Sequence, residues 1–293
     1  MLDPVLLSAI SDLEFVARVT VDGALSGLHR SPFHGYSAEF SQYRHYRTGD
    51  DLKYVDWKLF ARTDRIYTKQ FRETTNVRAQ LVLDASASMG YRSRPGVSKL
   101  EYGRMLGAAL AHLIAGQGDA TGLTVYDEQI RTYLASRPGR SHLRAVLTTL
   151  ATTVAEGRTA SAVALRRAID LLRSRGVLLL ISDLYEEEET LDAELRRAAR
   201  MGHDVTVFHV LTGDELEWRW GGDVELQDSE TGERVLSAPA AAVEYRRRVD
   251  AFVQRWRDRC TGGGIDYVLA RTDAPLDHTL REYLLHRGHG ALR

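Results

Sequence analysis

The sequence is poor in cysteine, in long apolar runs and in net charge. Cys260 is the only cysteine among 293 residues, which excludes an internal disulfide and fits a reducing compartment. No apolar run approaches the roughly 20 residues that a membrane-spanning helix needs, and the first residues lack the basic start and the cleavage site of a secretory signal. The net charge is −1, so no overall field attracts nucleic acid or an acidic membrane surface. We therefore expect a cytoplasmic protein with no membrane span.

Apolar strands and amphipathic helices alternate between residue 79 and about residue 212. The predicted strands are Ala79–Leu83, Ala120–Tyr126, Gln129–Leu134, Val177–Ile181 and His203–Leu211. The predicted helices are Leu100–Ala115, Ser141–Thr152, Ala160–Arg173 and Glu187–Met201. Alternation of this kind predicts an α/β fold, a three-layer αβα, Rossmann-like domain built on a mainly parallel sheet.

Three parts are predicted along the chain. An N-terminal helix occupies residues 1–27, and a basic, aromatic and mainly β subdomain occupies residues 28–78. The α/β domain occupies residues 79–293, with a hairpin insertion around 213–240. The last predicted elements are a helix, a strand and a helix at Ala238–Cys260, Ile265–Ala270 and Leu276–His286.

Residues 28–78 mix basic and aromatic side chains. Ten Lys and Arg against six Asp and Glu give a net charge of +4, which is modest for a nucleic-acid-binding stripe. Aromatic rings beside arginines bind single strands in some proteins, and the same composition suits a small subdomain whose rings pack on Arg stems. We favour a structural unit or a docking face for another protein.

Oxygen-bearing side chains follow three of the predicted elements. The residues from Asp84 to Ser88 read Asp-Ala-Ser-Ala-Ser and follow a buried strand, Thr159 precedes a helix, and Asp183 follows a later strand. Ligands of parallel sheets bind beyond the carboxyl ends of the strands, so these residues are expected at one edge of the sheet. Hard divalent cations prefer all-oxygen shells, which predicts a site for Mg2+ (or Mn2+ or Ca2+) made by Asp84, Ser86, Ser88, Thr159 and Asp183.

This set of residues differs from a catalytic centre. Asp and Ser after a strand also serve as caps of the next helix, but Thr159 and Asp183 favour metal binding over that use. No His, Lys or third carboxylate is evident nearby as a general base, so we expect no enzymatic activity. Neutral hydroxyl ligands would leave the cation strongly electrophilic, with an open position for the acidic side chain of a protein partner.

These five residues resemble the metal-ion-dependent adhesion site (MIDAS) of a von Willebrand factor type A domain. That motif is Asp-x-Ser-x-Ser, then a Thr, then an Asp that ends a later strand. The resemblance implies that Ser86, Ser88 and Thr159 bind the metal through their hydroxyls. Asp84 and Asp183 would then act mainly through bound waters.

The basic and aromatic segment carries a second set of motifs. They are His29-Arg30-Ser31, Phe40, Tyr43-Arg44-His45-Tyr46, Gly49-Asp50-Asp51, Asp56-Trp57, Ala61-Arg62-Thr63 and Phe71-Arg72-Glu73. These motifs resemble the signature of the prokaryotic domain-of-unknown-function family 58, whose members carry it directly before a type A domain. Such proteins are commonly encoded beside MoxR-type AAA+ ATPases and are thought to act with them in maturing or assembling other proteins. The candidate partner-binding residues are Arg44, Asp50, Asp51, Trp57 and Arg62.

The leading hypothesis is a non-enzymatic, divalent-metal-dependent, chaperone-like adaptor that works with a MoxR-type ATPase. A Mg2+-dependent phosphatase-like hydrolase with Asp84 as nucleophile is the first alternative. Such enzymes place a second Asp two residues later as general acid, where this chain has Ser86. Nucleic-acid binding through residues 28–78 is the second alternative, although the charge balance argues against nucleic acid as a partner.

Overall fold

The chain divides into two compact units, each described here by itself. One contains residues 33–76, and the other contains residues 1–32 and 77–293. The computed structural model describes residues 4–26, 38–47, 55–73, 77–172, 175–186, 188–220, 224–227, 232–237 and 241–290.

Helices and strands alternate through most of the chain. The helices are α1 (Pro4–Ser26), α2 (Trp57–Thr63), α3 (Lys99–Gly116), α4 (Arg140–Thr152), α5 (Ser161–Leu171), α6 (Glu188–Arg200), α7 (Gly213–Glu217), α8 (Ala242–Gly262) and α9 (Leu276–Gly290). The strands are β1 (Ala38–His45), β2 (Tyr67–Glu73), β3 (Arg78–Asp84), β4 (Ala120–Tyr126), β5 (Ile130–Arg137), β6 (Val177–Ser182), β7 (Asp204–Leu211), β8 (Val224–Gln227), β9 (Arg234–Ser237) and β10 (Asp266–Arg271).

A six-stranded sheet forms the centre of the larger unit. Its strand order is β10-β7-β6-β3-β4-β5, and β5 alone among these strands pairs antiparallel with its neighbour. The parallel strands β3 and β6 are neighbours although helices and two strands separate them in sequence. Their carboxyl ends therefore lie side by side at the same edge of the sheet.

Helices cover both faces of this sheet. Alternate residues of a strand point to opposite faces, so Val82 and Leu180 join the apolar core formed with α5, α6 and α8. Leu83 and Ile181 lie on the other face, where α3 approaches closely enough that a side chain at Gly103 would contact both. Strands buried on both faces need near-continuous apolar sequence, which explains the unbroken apolar run at the start of β6.

Helix α1 belongs to the larger unit and packs on α3, α4 and α9. Its apolar stripe places Ile10, Leu13 and Ala17 in buried positions. The helix continues through Gly23 to Ser26, close to its predicted end at residue 27. Packing of the stripe on three neighbouring helices outweighs the weak helix propensity of one glycine.

The smaller unit has an antiparallel pair, β1 with β2, and the short helix α2. Asp56 caps α2, because its Oδ1 accepts hydrogen bonds from the backbone N–H groups of Lys58 at 3.0 Å and Leu59 at 2.9 Å. The hydroxyl of Tyr43 donates to the other oxygen of Asp56 at 2.9 Å. One buried carboxylate thus connects strand and helix.

The α/β fold class predicted from the sequence is confirmed by the mostly parallel sheet with helices on both faces. Strands β8 and β9 pair antiparallel within the predicted hairpin region, and residues 228–231 between them lie outside the described residues. The short helix α7 was not predicted. None of the helices in the described ranges combines the length and the apolarity needed to cross a bilayer.

Gly122 in β4 lies so close to the backbone of β5 that a substitution there tests the pairing of these two strands. A Cβ atom at this position would lie 2.7 Å from the carbonyl oxygen of Leu134 and 2.7 Å from the amide nitrogen of Ser136. Because backbone atoms of β5 cannot move aside cheaply, we expect Gly122→Ala to lower the free energy of unfolding by about 2 kcal/mol or more. The matched control is Gly116→Ala at the end of α3, where the added methyl group meets open space. Urea denaturation measures the free energy of unfolding of both variants, and equal values would contradict the pairing of β4 with β5.

Candidate metal centre

Asp84 is the last residue of β3 and is fully buried. Its Oδ2 accepts a hydrogen bond from Ser182 Oγ at 2.7 Å, and its Oδ1 accepts one from the backbone N–H of Ser86 at 2.9 Å. In the parallel pairing of β3 with β6, Leu83 lies opposite Ile181, so the strand register itself brings Asp84 beside Ser182. Each carboxylate oxygen therefore has a donor, and the side chain of Ser86 also hydrogen-bonds to this carboxylate.

The two serines of the loop after β3 lie next to each other. Ser86 Oγ and Ser88 Oγ are 3.1 Å apart and share a hydrogen bond. Ser86 is fully buried and precedes a short 3-10 turn, Ala87–Gly90, but its side chain makes no capping hydrogen bond to that turn. Helix capping, the ordinary use of a serine after a strand, does not account for this buried hydroxyl.

Backbone hydrogen bonds join the loop of Thr159 to the loop after β3. The N–H of Ala87 donates to the carbonyl of Gly157 at 2.9 Å, and the N–H of Glu156 donates to the carbonyl of Ala85 at 2.9 Å. Thr159 follows two residues after Gly157 and is half-buried. The structure thus brings the threonine loop to the same edge as the two serines.

Arg131 of β5 also holds the loop of Thr159 in place. Its guanidinium donates to the carbonyls of Val154 at 2.9 Å and Glu156 at 2.7 Å, and it pairs with Asp127 at 2.6 Å. Gly157 has a φ of +75°, and a Cβ atom there would lie 2.8 Å from Asp127 Oδ2. Both the left-handed backbone and this close approach require glycine.

Asp183 follows β6 and is fully buried, but it is paired with a cation of the chain itself. Its Oδ2 accepts a hydrogen bond from Lys99 Nζ at 2.8 Å, and its Oδ1 lies 3.4 Å from the backbone nitrogen of Tyr185. Lys99 is the first residue of α3, has 1% exposure and also donates to Glu215 Oε1 at 2.7 Å. Burial alone would lower the pKa of Lys99, but the adjacent Asp183 and Glu215 carboxylates raise it above its ordinary value. The ammonium group therefore stays charged.

Glu215 is itself fixed by a capping box at the start of α7. Its Oε2 accepts hydrogen bonds from the backbone N–H of Thr212 at 2.8 Å and from Thr212 Oγ1 at 2.9 Å. The rings of Tyr185 and Tyr91 face Lys99, with centroids 4.7 Å and 5.9 Å from its Nζ. Aromatic faces of this kind favour a cation, so the ammonium group is enclosed by two carboxylates and two rings.

His209 of β7 lies behind Asp183. Its Nε2 is 3.0 Å from the carbonyl oxygen of Asp183, and its Nδ1 is 2.7 Å from the hydroxyl of Tyr267. Burial lowers the pKa of His209 to about 3 although Asp183 acts in the opposite direction. The imidazole is therefore neutral, with both ring nitrogens in hydrogen bonds.

The buried charges at this edge do not balance. Three buried carboxylates, Asp84, Asp183 and Glu215, lie near the single ammonium of Lys99. Burial, and then the negative charge of Asp183, raise the pKa of Asp84 from 3.8 to about 7. Asp183 and Glu215 together already exceed the one positive charge of Lys99, and ionised Asp84 adds a further negative charge to the cluster.

The residues present fit a divalent cation with oxygen ligands. The 3.1 Å between the hydroxyls of Ser86 and Ser88 is close to the edge of an octahedral oxygen shell, which is about 3 Å for metal–oxygen distances of about 2.0–2.1 Å. A divalent charge would also offset the excess negative charge on Asp84. Within the described ranges, no three His, Cys, Asp or Glu side chains form a cluster suited to a metal ion. A metal site at this edge would therefore depend on hydroxyl ligands, as the sequence predicted.

The sequence prediction of the site was incomplete. The structure brings the loops of Asp84, Ser86, Ser88, Thr159 and Asp183 to one edge, and the role of these residues as metal ligands stays a prediction. The statement that no Lys, His or third carboxylate lies nearby was wrong, because Lys99, His209 and Glu215 surround Asp183. Lys99 was missed because it reads as an ordinary solvated helix start. The Thr-x-x-Glu spacing at 212–215 is a capping-box signal that would have marked Glu215.

The candidate partner-binding residues belong to the smaller unit. Trp57 is 58% exposed at the start of α2, and Arg62 is exposed in the same helix. Arg44 is half-buried in β1. Asp50 and Asp51 lie outside the described residues. Their role in binding is not tested by the geometry.

The raised pKa of Asp84 makes the stability of the metal-free protein depend on pH. The unfolded chain loses this proton near pH 4 and the folded chain near pH 7, so the Asp84 contribution to folding falls as pH rises through that window. In EDTA at pH 8, we expect Asp84→Asn to be about 1–3 kcal/mol more stable than the wild type, with a clearly smaller difference at pH 5. Chemical denaturation at both pH values measures this. The exposed Asp258→Asn is the control, and a difference that does not change with pH would contradict the buried charge on Asp84.

Comparison with known proteins identifies the relatives of this chain. The model of the family described as "Protein of unknown function DUF58" matches residues 42–259. Uncharacterised proteins of Mycobacterium bovis and Mycobacterium tuberculosis are each 30% identical over 296 residues, which cover 99% of this chain and 92% of theirs.

Solved structures show weaker similarity. The conserved hypothetical protein BatB of Bacteroides thetaiotaomicron has a TM-score of 0.48 at 16% identity, over 73% of this chain and 99% of that protein. The VWA domain of SpRpn10 has a TM-score of 0.40 at 13% identity, over 70% of this chain and 95% of that domain. Scores below 0.5 carry no conclusion about function. The family match and the relatives aligned over nearly the whole chain show that this protein belongs to the DUF58 family.

Proposed function

We propose that this protein is a divalent-metal-dependent protein-binding adaptor. The observation that carries the proposal is the pair of adjacent hydroxyls, Ser86 and Ser88, beside the buried carboxylate of Asp84. The oxygens of Asp84 are held by a serine hydroxyl and a backbone amide, both neutral donors. A site with buried negative charge and neutral hydroxyls suits a hard divalent cation.

Ser86, Ser88 and Thr159 would hold the ion through their hydroxyls, with Asp84 and Asp183 acting through bound waters. When bound, Mg2+ would supply a positive charge that neutral ligands leave largely uncompensated. The ligand that best compensates such a charge is a carboxylate. We therefore take the acidic side chain of a partner protein as the group that completes the site.

A hydrolase is less well supported by the same geometry. Lys99 is charged and occupied by two carboxylates, so it is not a general base. His209 is neutral, but both of its ring nitrogens already have partners. Turnover of a generic phosphoester that is abolished by Asp84→Asn would favour this second candidate.

The adaptor role with a MoxR-type AAA+ ATPase comes from the family resemblance, which is an association and not a geometric argument. The smaller unit offers a surface for such a partner, because Trp57 and Tyr43 are 58% and 44% exposed. Exposed aromatic residues beside arginines are typical of the centres of protein interfaces. We propose this unit as the ATPase-binding surface and the metal centre as the client-binding surface.

Metal binding is tested directly with Mn2+, whose free form is measured by electron paramagnetic resonance. We expect the wild type to bind one Mn2+ that excess Mg2+ displaces, and Ser86→Ala to weaken binding at least 10-fold because a ligand and its hydrogen bond to Ser88 are lost. Ser141→Ala, an exposed serine at the start of α4, is the matched control with unchanged affinity. Equal Mn2+ affinity of both variants would sink the metal centre.

The proposed ATPase-binding surface is tested with Trp57→Ala. Because the ring is 58% exposed, we expect the free energy of unfolding to change by less than about 0.5 kcal/mol. We expect affinity for the MoxR-type ATPase of the same genome, measured by biolayer interferometry, to fall about 10-fold or more. Ile66→Ala, 40% exposed in the same unit, is the control. Unchanged affinity of the Trp57 variant would exclude this surface.

A further inference from the structure

We propose that Lys99 is a fixed internal counter-ion that sets the metal affinity of the candidate centre, with Glu215 holding it in place. The inference deepens the proposed function and rests on it. Lys99 Nζ lies 2.8 Å from Asp183 Oδ2 and 2.7 Å from Glu215 Oε1. One carboxylate of the predicted metal-binding set is therefore already paired with a cation of the chain itself.

Lys99 stands where a positive charge is unfavourable unless neighbouring groups stabilise it. It is the first residue of α3, where the helix dipole disfavours positive charge. It is also buried, and removing an ammonium group from water costs several kcal/mol. The two carboxylates and the rings of Tyr185 and Tyr91 offset these costs. A residue placed against two local preferences is expected at a functional site.

Separate local structures fix both ends of the Lys99–Glu215 pair. A capping box begins α3, in which Ser98 Oγ accepts from the N–H of Glu101 at 3.1 Å and the Ser98 N–H donates to Glu101 Oε2 at 2.7 Å. A second capping box, at Thr212, holds Glu215. The ammonium group is thus held at Asp183 by a constrained backbone at each end.

This arrangement has opposite consequences for the two members of the pair. Lys99 repels a second cation and occupies one oxygen of Asp183, so it weakens metal binding. Glu215 shares the charge of Lys99 and adds negative charge of its own, so it strengthens metal binding. A purely structural ion pair predicts loss of stability in either variant, because a buried charge is left unpaired, but no opposite changes in metal affinity.

The test compares Lys99→Met with Glu215→Gln in Mn2+ titrations followed by electron paramagnetic resonance. We expect Lys99→Met to bind Mn2+ at least 10-fold more tightly than the wild type and Glu215→Gln to bind at least 3-fold more weakly. Thermal unfolding of the same proteins is measured in EDTA, and we expect both variants to have a lower Tm than the wild type. Lys58→Met and Glu282→Gln, outside the cluster, are the matched controls.

If Lys99→Met does not fold, Lys99→Gln replaces it, because glutamine retains a donor toward Asp183 and Glu215. We expect Lys99→Gln also to bind Mn2+ more tightly than the wild type. Lys99→Arg keeps the charge and should bind Mn2+ within 3-fold of the wild type. Shifts of the same sign in the Lys99 and Glu215 variants, or unchanged affinity in both, would overturn the counter-ion role.

If the proposed function itself is wrong, the Mn2+ affinities of these variants follow a different pattern. If neither the wild type nor any Lys99 variant binds Mn2+ more tightly than Ser86→Ala does, there is no metal centre and the inference fails with it. If Ser86→Ala abolishes binding while the Lys99 and Glu215 variants leave it unchanged, the metal centre stands and the counter-ion role alone is excluded.

Discussion

The parallel pairing of β3 with β6 is the constraint on which the candidate site depends. Its register sets Leu83 opposite Ile181, so the residues that follow each strand meet at one edge. The contact between Ser182 Oγ and Asp84 Oδ2 at 2.7 Å is the direct product of that register. A shift by one residue would exchange the side chains of β6 between the two faces of the sheet and move Ser182 away from Asp84. The core and the site are therefore fixed by the same hydrogen bonds.

Electrostatics at this edge follow from burial. Asp84 and Asp183 are both fully buried, and burial together with the negative charge of Asp183 raises the pKa of Asp84. The chain compensates Asp183 with Lys99, whereas Asp84 receives only neutral donors. Two carboxylates at equivalent ends of neighbouring strands thus have different environments. That asymmetry distinguishes this cluster from a symmetric pair of metal-binding acids.

Much of the fold could be predicted from the sequence because its elements carry local signals. The apolar run of β6 and the helical spacing of α1 are readable without knowledge of neighbours. Asp84 and Asp183 were found because each follows such a run. Ser182 and Lys99 were not, since their importance comes from strand order and from contacts over 98 and 84 residues of sequence. Helix α7 was missed because five residues give no periodicity, although Thr212 and Glu215 carry a capping signal.

The ion pair between Lys99 and Asp183 gives this edge of the sheet a counter-charge of its own. In many small metalloproteins the ligands repel one another until the metal arrives, and the apo chain is unfolded. Here a tethered ammonium group already faces the carboxylate that follows β6. We therefore expect the chain to reach its native fold without a metal ion. A chelated sample would then remain folded, and any metal found in a purified preparation would reflect the buffers used.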